Sequence, residues 1–267
     1  MPTTATTTGS WSFSLTGGYR KIRAGLREQR HRRKAQRWTA EDQARLVFYE
    51  NFVSPESLVF DVGANQGNRT KVFLRPGARV IAVEPQPACV EFLKAVFKDH
   101  PRLTIEPTAI GSAPGEAEML LSQHSTIATL ADDWVESVSS SGRFDRSLWG
   151  GRITVPIVTL DTLIARHGRP DFVKVDVEGF ELEVLRGLSQ PVRALSLEFV
   201  PEELDKAIAC IDRLCELGPY RFRISLGESM AFADHEAVDR DGIIERLQAV
   251  PKEEFGDLYA VYEGDLG

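Results

Sequence analysis

Four carboxylates, Asp61, Glu84, Asp176 and Glu198, each fall at or near the end of an apolar run that reads as a buried β-strand. The carboxyl ends of parallel strands open on a common crevice, so acids placed in this way converge on a ligand. Asp61 lies in Val59-Phe60-Asp61-Val62-Gly63-Ala64-Asn65-Gln66-Gly67, a strand followed by a tight loop of small residues. Glu84 closes Val80-Ile81-Ala82-Val83-Glu84-Pro85, 23 residues further on, where a ribose-binding acid belongs in a βαβ unit. Gly63 and Gly67 let backbone approach a ligand, Ala64 keeps the loop small, and Asn65 tolerates left-handed backbone. A pyrophosphate at this loop would face the Asp61 carboxylate and be repelled. S-adenosylmethionine (SAM) carries a sulfonium and an ammonium instead, and both favour a nearby anion. The pattern therefore points to SAM ahead of a dinucleotide.

The second cluster is Asp171-Phe172-Val173-Lys174-Val175-Asp176-Val177-Glu178-Gly179. In extended backbone Val173, Val175 and Val177 share one face, and Lys174 and Asp176 share the other. A strand covered on both sides should be almost wholly apolar, so these charges belong in a cleft or in a pair. Glu198 repeats the pattern on the face opposite Leu195, Leu197 and Phe199. Asp176 and Glu198 are thus candidates to take a proton from an acceptor hydroxyl, as is His124. A divalent metal on Asp176 and Glu198 would lower the hydroxyl pKa instead, but no dense ligand cluster is visible and the metal-free route is favoured. Competing readings make Asp176 a helix N-cap, with Glu178 and Glu181 favouring the first helical turn, and give Glu198 a capping role before Pro201. His167 sits at an expected helix end, where partial positive charge is favoured in any case.

The elements that must position these groups alternate along the chain. Strands are expected at Leu58–Val62, Arg79–Val83, Leu103–Ile110, Phe172–Val177, Ala194–Val200, Tyr220–Ser225 and Leu258–Tyr262. Helices are expected at Asn68–Leu74, Pro87–Lys98 and Phe180–Leu188, with Leu204, Ile208, Ile211 and Cys215 marking the buried face of another. The alternation predicts an α/β fold, a doubly wound, mostly parallel seven-stranded sheet. Between about 112 and 158 the pattern weakens around short strands at Glu116–Leu121 and Ile153–Val158, the signature of an inserted loop or lid.

The composition bounds the rest. The 267 residues carry a net charge of −7, and 42% are hydrophobic, enough for one large domain with an appendage. Three cysteines, Cys89, Cys210 and Cys215, fit no metal or redox spacing. No apolar run approaches the ~18–20 residues that span a bilayer, and no secretory h-region opens the chain, so a cytoplasmic protein is expected. Residues 1–18 are rich in Thr, Ser and Gly and are expected to be disordered, 19–52 to form a basic helical arm, and 53–267 the main domain. From Arg20 to Arg37 nine Lys and Arg residues face one Glu. This run is either a solvated helix or a peripheral, salt-sensitive attachment to an anionic membrane.

The stretches from Phe60 to Gly67, Val83 to Pro85, Thr159-Leu160-Asp161-Thr162-Leu163, and Val173 to Glu181 followed by Leu185-Arg186-Gly187, together resemble the FkbM-like family of SAM-dependent methyltransferases. The likeness covers residues 57–200. It implies the class I methyltransferase fold (Rossmann-like), SAM as donor, and an acceptor oxygen on a saccharide, polyketide or related metabolite. It also implies that Ala109 and Ile110 lie near the adenine, and that the position of Asp176 meets a metal or the acceptor hydroxyl. The basic arm and the His-containing insert depart from the family pattern. Nucleic-acid methylation is disfavoured, because no aromatic interrupts the basic run and no Asn-Pro-Pro-aromatic motif occurs. A SAM-binding protein without turnover is the remaining alternative.

Overall fold

A computed structural model describes residues 29–122, 128–140 and 149–266. The expectations for residues 1–28, including the first part of the basic run, and for His124 fall outside the described residues. Residues 29–36 form a helix, α1, within a separate unit that ends at Arg37; the main unit begins at Trp38. No helix among the described residues is long and apolar enough to cross a membrane.

The main sheet joins seven strands. They are β1 (Leu58–Val62), β2 (Arg79–Val83), β3 (Leu103–Glu106), β8 (Phe172–Val175), β9 (Ala194–Phe199), β10 (Tyr220–Leu226) and β11 (Gly256–Tyr262). Their order is β10-β11-β9-β8-β1-β2-β3, with β11 antiparallel to both of its neighbours and every other pairing parallel. The chain reverses direction at β1, so β1 and β8 flank the topological switch point where such sheets bind ligands. The mostly parallel seven-stranded sheet is thus the one expected. Helices α3 (Asn68–Leu74), α4 (Pro87–Phe97), α6 (Leu160–His167), α7 (Glu181–Arg186), α8 (Leu204–Leu217) and α9 (Arg240–Gln248) complete the crossovers.

The two faces of this sheet differ, and the difference makes the site. One face carries Phe60, Val62, Val173, Val175, Leu195, Leu197 and Leu258 and packs into a wholly apolar core with α7 and α8. The other is apolar only at the amino ends, where Val59, Phe172 and Ala194 pack against α2 (Ala40–Tyr49) and α3. Towards the carboxyl ends the same face presents Asp61, Lys174 and Ser196, which lie side by side in register. The period of two keeps apolar and polar positions on one face, so the gradient runs along the strands.

Helix α2 belongs to the main unit, although its residues were expected in the basic arm. It starts at a capping box between Thr39 and Asp42. It buries Phe48 and Tyr49 and leaves Val47 57% exposed. Phe48, Tyr49 and Phe52 join Phe73, Phe172, Phe232 and Tyr259 in one aromatic cluster.

The expected third strand is two strands. β3 ends at Glu106, Pro107 cannot donate to a ladder, and the chain turns into β4 (Ala109–Ile110) of a second sheet. Thr108 holds the turn by donating its hydroxyl to the Pro156 carbonyl at 2.8 Å. The second sheet, ordered β4-β7-β5-β6, comprises β5 (Gly115–Ser122), β6 (Ala128–Thr129) and β7 (Trp149–Val158) as well as β4. Helix α5 (Asp132–Ser140) lies between β6 and β7. Much of the segment expected to be an irregular lid is therefore a small sheet. It escapes a search for periodicity because its strands are largely half-exposed and contain Gly and Pro.

Candidate active site

The loop after β1 is shaped by close backbone approach. Gly63 has φ +84°, and a Cβ there would overlap the carbonyl oxygen of Asp176. Glycine is thus required for the β1 and β8 loops to meet. The N–H groups of Gly63 and Ala64 both donate to the Val83 carbonyl, that of Asn65 (φ +48°) to Glu84, and that of Gly67 to Ala64. These four donors are spent within the protein and are not open to a pyrophosphate, which counts against a dinucleotide site.

Asp61, Gly63, Ala64, Asn65, Glu84, Pro85, Ala109, Ile110, Asp176 and Glu198 line one cleft at the carboxyl edge of the sheet. Gly67 does not line it. With φ +81° it starts α3, and its α-carbon packs so tightly against Leu93 and Phe97 that a side chain would not fit. His167 is remote from the cleft, with Nε2 2.7 Å from Glu106 Oε1.

Asp61 and Glu84 are each 2% exposed. Thr70 donates its hydroxyl to Asp61 Oδ2 at 2.5 Å, and burial pushes the Asp61 carboxyl up to about 6 although Thr70 and Lys174 oppose the shift. Glu84 Oε2 accepts from the Asn65 N–H at 2.8 Å and Oε1 from the Gln86 N–H at 2.7 Å; burial still pushes it up to about 7. Each oxygen keeps acceptor capacity for a hydroxyl, such as those of a ribose. Two acids raised by burial favour a ligand that brings positive charge and donors, which the sulfonium, ammonium and ribose of SAM supply. The donor set fits that cofactor.

Lys174 explains how charge is tolerated inside the sheet. It is 1% exposed, with Nζ 3.1 Å from Asp257 Oδ1 and 3.3 Å from Asp176 Oδ2. Burial disfavours its charge, but Asp176 and Asp257 outweigh that and hold it protonated. The N-cap reading of Asp176 does not hold, because α7 starts at Glu181 after Phe180. Glu181 instead turns back, and its Oε1 accepts from the N–H groups of Val177 and Gly179 at 3.2 and 3.3 Å. The loop between β8 and α7 is also gripped from β6 and α5: Thr129 donates to the Glu178 carbonyl, and Gly179 (φ +91°) lies against Trp134. So held, Glu178 takes φ +54° and brings its carboxylate to those of Asp176 and Glu198, with one oxygen of each within 4.8 Å of the others. Burial, and then the neighbouring acids, push both Glu178 and Glu198 up and favour their protonated forms. The three carboxylates are a donor set that a divalent cation could enter, but Lys174 already neutralises Asp176.

Sequence reasoning missed Glu178, Asp257, Arg45, Arg69 and Glu228. For Glu178 a signal existed, since Glu-Gly straight after an apolar strand marks a turn as readily as a first helical turn. Arg45 and Glu228 had none, because they reach the cleft from remote segments.

The strand order and the cleft at its switch point are those of a class I, Rossmann-like methyltransferase. Residues 61–218 match the methyltransferase FkbM domain, and the chain belongs to that family. Hexuronic acid methyltransferase AglP of Haloferax volcanii is 26% identical over 162 residues, 60% of this chain and 61% of that relative, so the match spans about three fifths of its length. Among solved structures, precorrin-6y C5,15-methyltransferase of Geobacter metallireducens aligns with 82% of this chain and 86% of its own at 14% identity and a TM-score of 0.41. The Methanococcus jannaschii fibrillarin pre-rRNA processing protein aligns with 80% and 70% at 13% identity and a TM-score of 0.39. These scores are too low to add to the topological argument.

The acids also predict a pH dependence. A carboxyl raised in the folded state stabilises the fold most below its unfolded value, and this contribution is lost as pH rises through the folded one. For the free protein that loss runs from the ordinary carboxylate range up to about pH 6 for Asp61 and about pH 7 for Glu84. A ligand that brings an ammonium group and hydroxyl donors to these acids selects their ionised forms. The affinity for S-adenosylhomocysteine should therefore rise through this window, level above it, and be accompanied by proton release. Calorimetry in buffers of different ionisation enthalpy measures this. Affinity independent of pH across the window would mean that neither acid faces the ligand.

Proposed function

We propose that the protein is a SAM-dependent O-methyltransferase acting on a hydroxyl of a saccharide or a related metabolite. The observation that carries this reading is the meeting, in one cleft, of the buried Asp61 and Glu84 with Asp176, Glu178 and Glu198. When bound, SAM supplies an electrophilic methyl group whose sulfur loses its charge on transfer. The chain's own task is then to hold the acceptor oxygen in line with that methyl group and to remove its proton. Asp176, fixed from below by Lys174, accepts a hydrogen bond from the acceptor hydroxyl and orients it. As the hydroxyl oxygen bonds to the methyl carbon, its proton passes along that hydrogen bond to Asp176, while Glu198, whose environment favours the protonated form, stands beside it as a hydrogen-bond donor. Tight packing of Gly63 against the Asp176 carbonyl couples the cofactor loop to the acceptor loop, so the two partners stay in register.

The hexuronic acid in the name of the Haloferax relative supports sugars as the first acceptors to try. The test is incubation with SAM and a panel of mono- and oligosaccharides, neutral and uronic, with mass spectrometry of the products. The expected result is a sugar that gains one methyl group, with the label on oxygen by carbon NMR. Methylation only of nitrogen or carbon acceptors would overturn the oxygen assignment. No turnover with any class, despite tight cofactor binding, would favour the SAM-binding protein without activity.

A further inference from the structure

One part of the cleft takes no role in the chemistry above. Arg45 on α2, Arg69 on α3 and Glu228, just after β10, line it together. Arg69 Nη2 lies 2.9 Å from each oxygen of Glu228, and Arg45 Nη2 lies 3.1 Å from Oε2. The arginine side chains are only 13% and 15% exposed, whereas that of Glu228 is 53% exposed. Arg69 Nε is buried without a hydrogen-bond partner, an uncommon state for a guanidinium donor. Two largely covered, converging guanidinium groups make a carboxylate-binding fork, and here a half-exposed glutamate fills it. Elsewhere the cleft floor is acidic, with Asp176, Glu178 and Glu198 clustered. Among the described residues that line the cleft, the two arginines mark the place where a ligand carboxylate's charge is favoured.

We propose that Arg45 and Arg69 form a carboxylate subsite, that Glu228 occupies it in the free protein, and that a ligand carboxylate displaces Glu228 on binding. Rotation of the Glu228 side chain is enough to vacate the fork. The carboxylate has two sources, the amino-acid end of the cofactor or a uronic group on the acceptor. The inference rests on the methyltransferase reading of this cleft, and the experiment separates the two. Glu228 is then an internal competitor, and its removal should tighten carboxylate binding instead of loosening the protein.

The experiment is a calorimetric titration of the full chain with two ligand pairs. The first is S-adenosylhomocysteine against its decarboxylated analogue; the second is the methyl glycoside of glucuronic acid against that of glucose. The wild type should prefer the carboxylate member of one pair by about tenfold to a hundredfold, the effect of a charge-assisted hydrogen bond. Arg69→Gln and Arg45→Gln should abolish that preference while leaving the decarboxylated or neutral member bound as before, and Glu228→Gln should increase it. The pair that responds identifies the source. An unchanged preference in both arginine variants overturns the proposal. So does a Glu228→Gln protein that melts earlier and binds no carboxylate more tightly, since the cluster would then be only a structural ion pair. Should an arginine variant fail to fold, the Glu228→Gln result alone decides. Failure of both adenosyl ligands to bind the wild type would count against the methyltransferase reading itself, while the glycoside pair would still read the subsite.

Discussion

Asp176→Asn should lower turnover by about 10²–10⁴-fold, the range for a positioned group in proton transfer, and should leave cofactor affinity within a few fold. The reason lies in how Asp176 is held. Its side chain is 36% exposed to the cleft, whereas Lys174 beneath it keeps a second partner in Asp257. The amide has the same shape and can still meet Lys174 through its oxygen, so the buried lysine is not stranded. What disappears is the negative charge that orients the acceptor hydroxyl. Single-turnover kinetics with saturating SAM, paired with calorimetry, would separate turnover from binding. A matched loss of binding and turnover would make Asp176 a structural residue. Dialysis of the wild type against a chelator completes the test, because a fall to the mutant's rate would assign the effect to a metal on the three carboxylates.

Gly63→Ala should abolish the site and destabilise the fold by at least about 4 kcal/mol, in the tail of single-substitution effects. Two costs add. The residue has φ +84°, a left-handed conformation that costs a non-glycine residue about 1–2 kcal/mol. The new methyl group would also overlap the Asp176 carbonyl, and that contact is backbone against backbone, so no rotamer change relieves it. β1 and β8 pair through four registered residues just below this point, so the overlap must part the loops or strain the centre of the sheet. Gly77→Ala is the control, since it also has positive φ (+105°) but meets nothing closer than ordinary contact. Chemical denaturation of the two variants measures the difference. Equal losses would mean that backbone conformation alone matters at Gly63.

The parallel strands were legible in the sequence because β1, β2, β8 and β9 are largely apolar runs ended by acids or turn residues, which is close to what burial on both faces demands. The cofactor half of the cleft was legible for the same reason, since its residues lie at the ends of those runs. The acceptor half was only partly so. Asp176 and Glu198 could be placed at strand ends, but Glu178 entered only through the competing reading, as a neighbour of a first helical turn, whereas the helix starts at Glu181. Its left-handed backbone depends on Thr129 of β6 and Trp134 of α5, which are distant in sequence, and no local pattern reveals that. Helix α8 shows a related limit. Leu204, Ile208, Ile211 and Cys215 suggested its inner face, but the stripe buried is Ala207, Cys210, Ile211 and Leu214. Small residues at 207 and 210 let the helix sit close, and a count of large side chains overlooks them. The partner of Lys174 was half visible. Asp176 is two residues away in sequence, whereas Asp257 arrives through the antiparallel β11, 83 residues away.

The most direct measurement is a titration of the wild type and of Glu84→Ala with S-adenosylhomocysteine and, separately, with NAD. The strand-end acids and the spent loop donors predict tight binding of the first ligand and none of the second. Loss of the two Glu84 oxygens should weaken S-adenosylhomocysteine by about 1.5–3 kcal/mol, the range for hydrogen bonds to a charged group. Comparable binding of NAD, or an unchanged affinity in Glu84→Ala, would contradict the account at its centre.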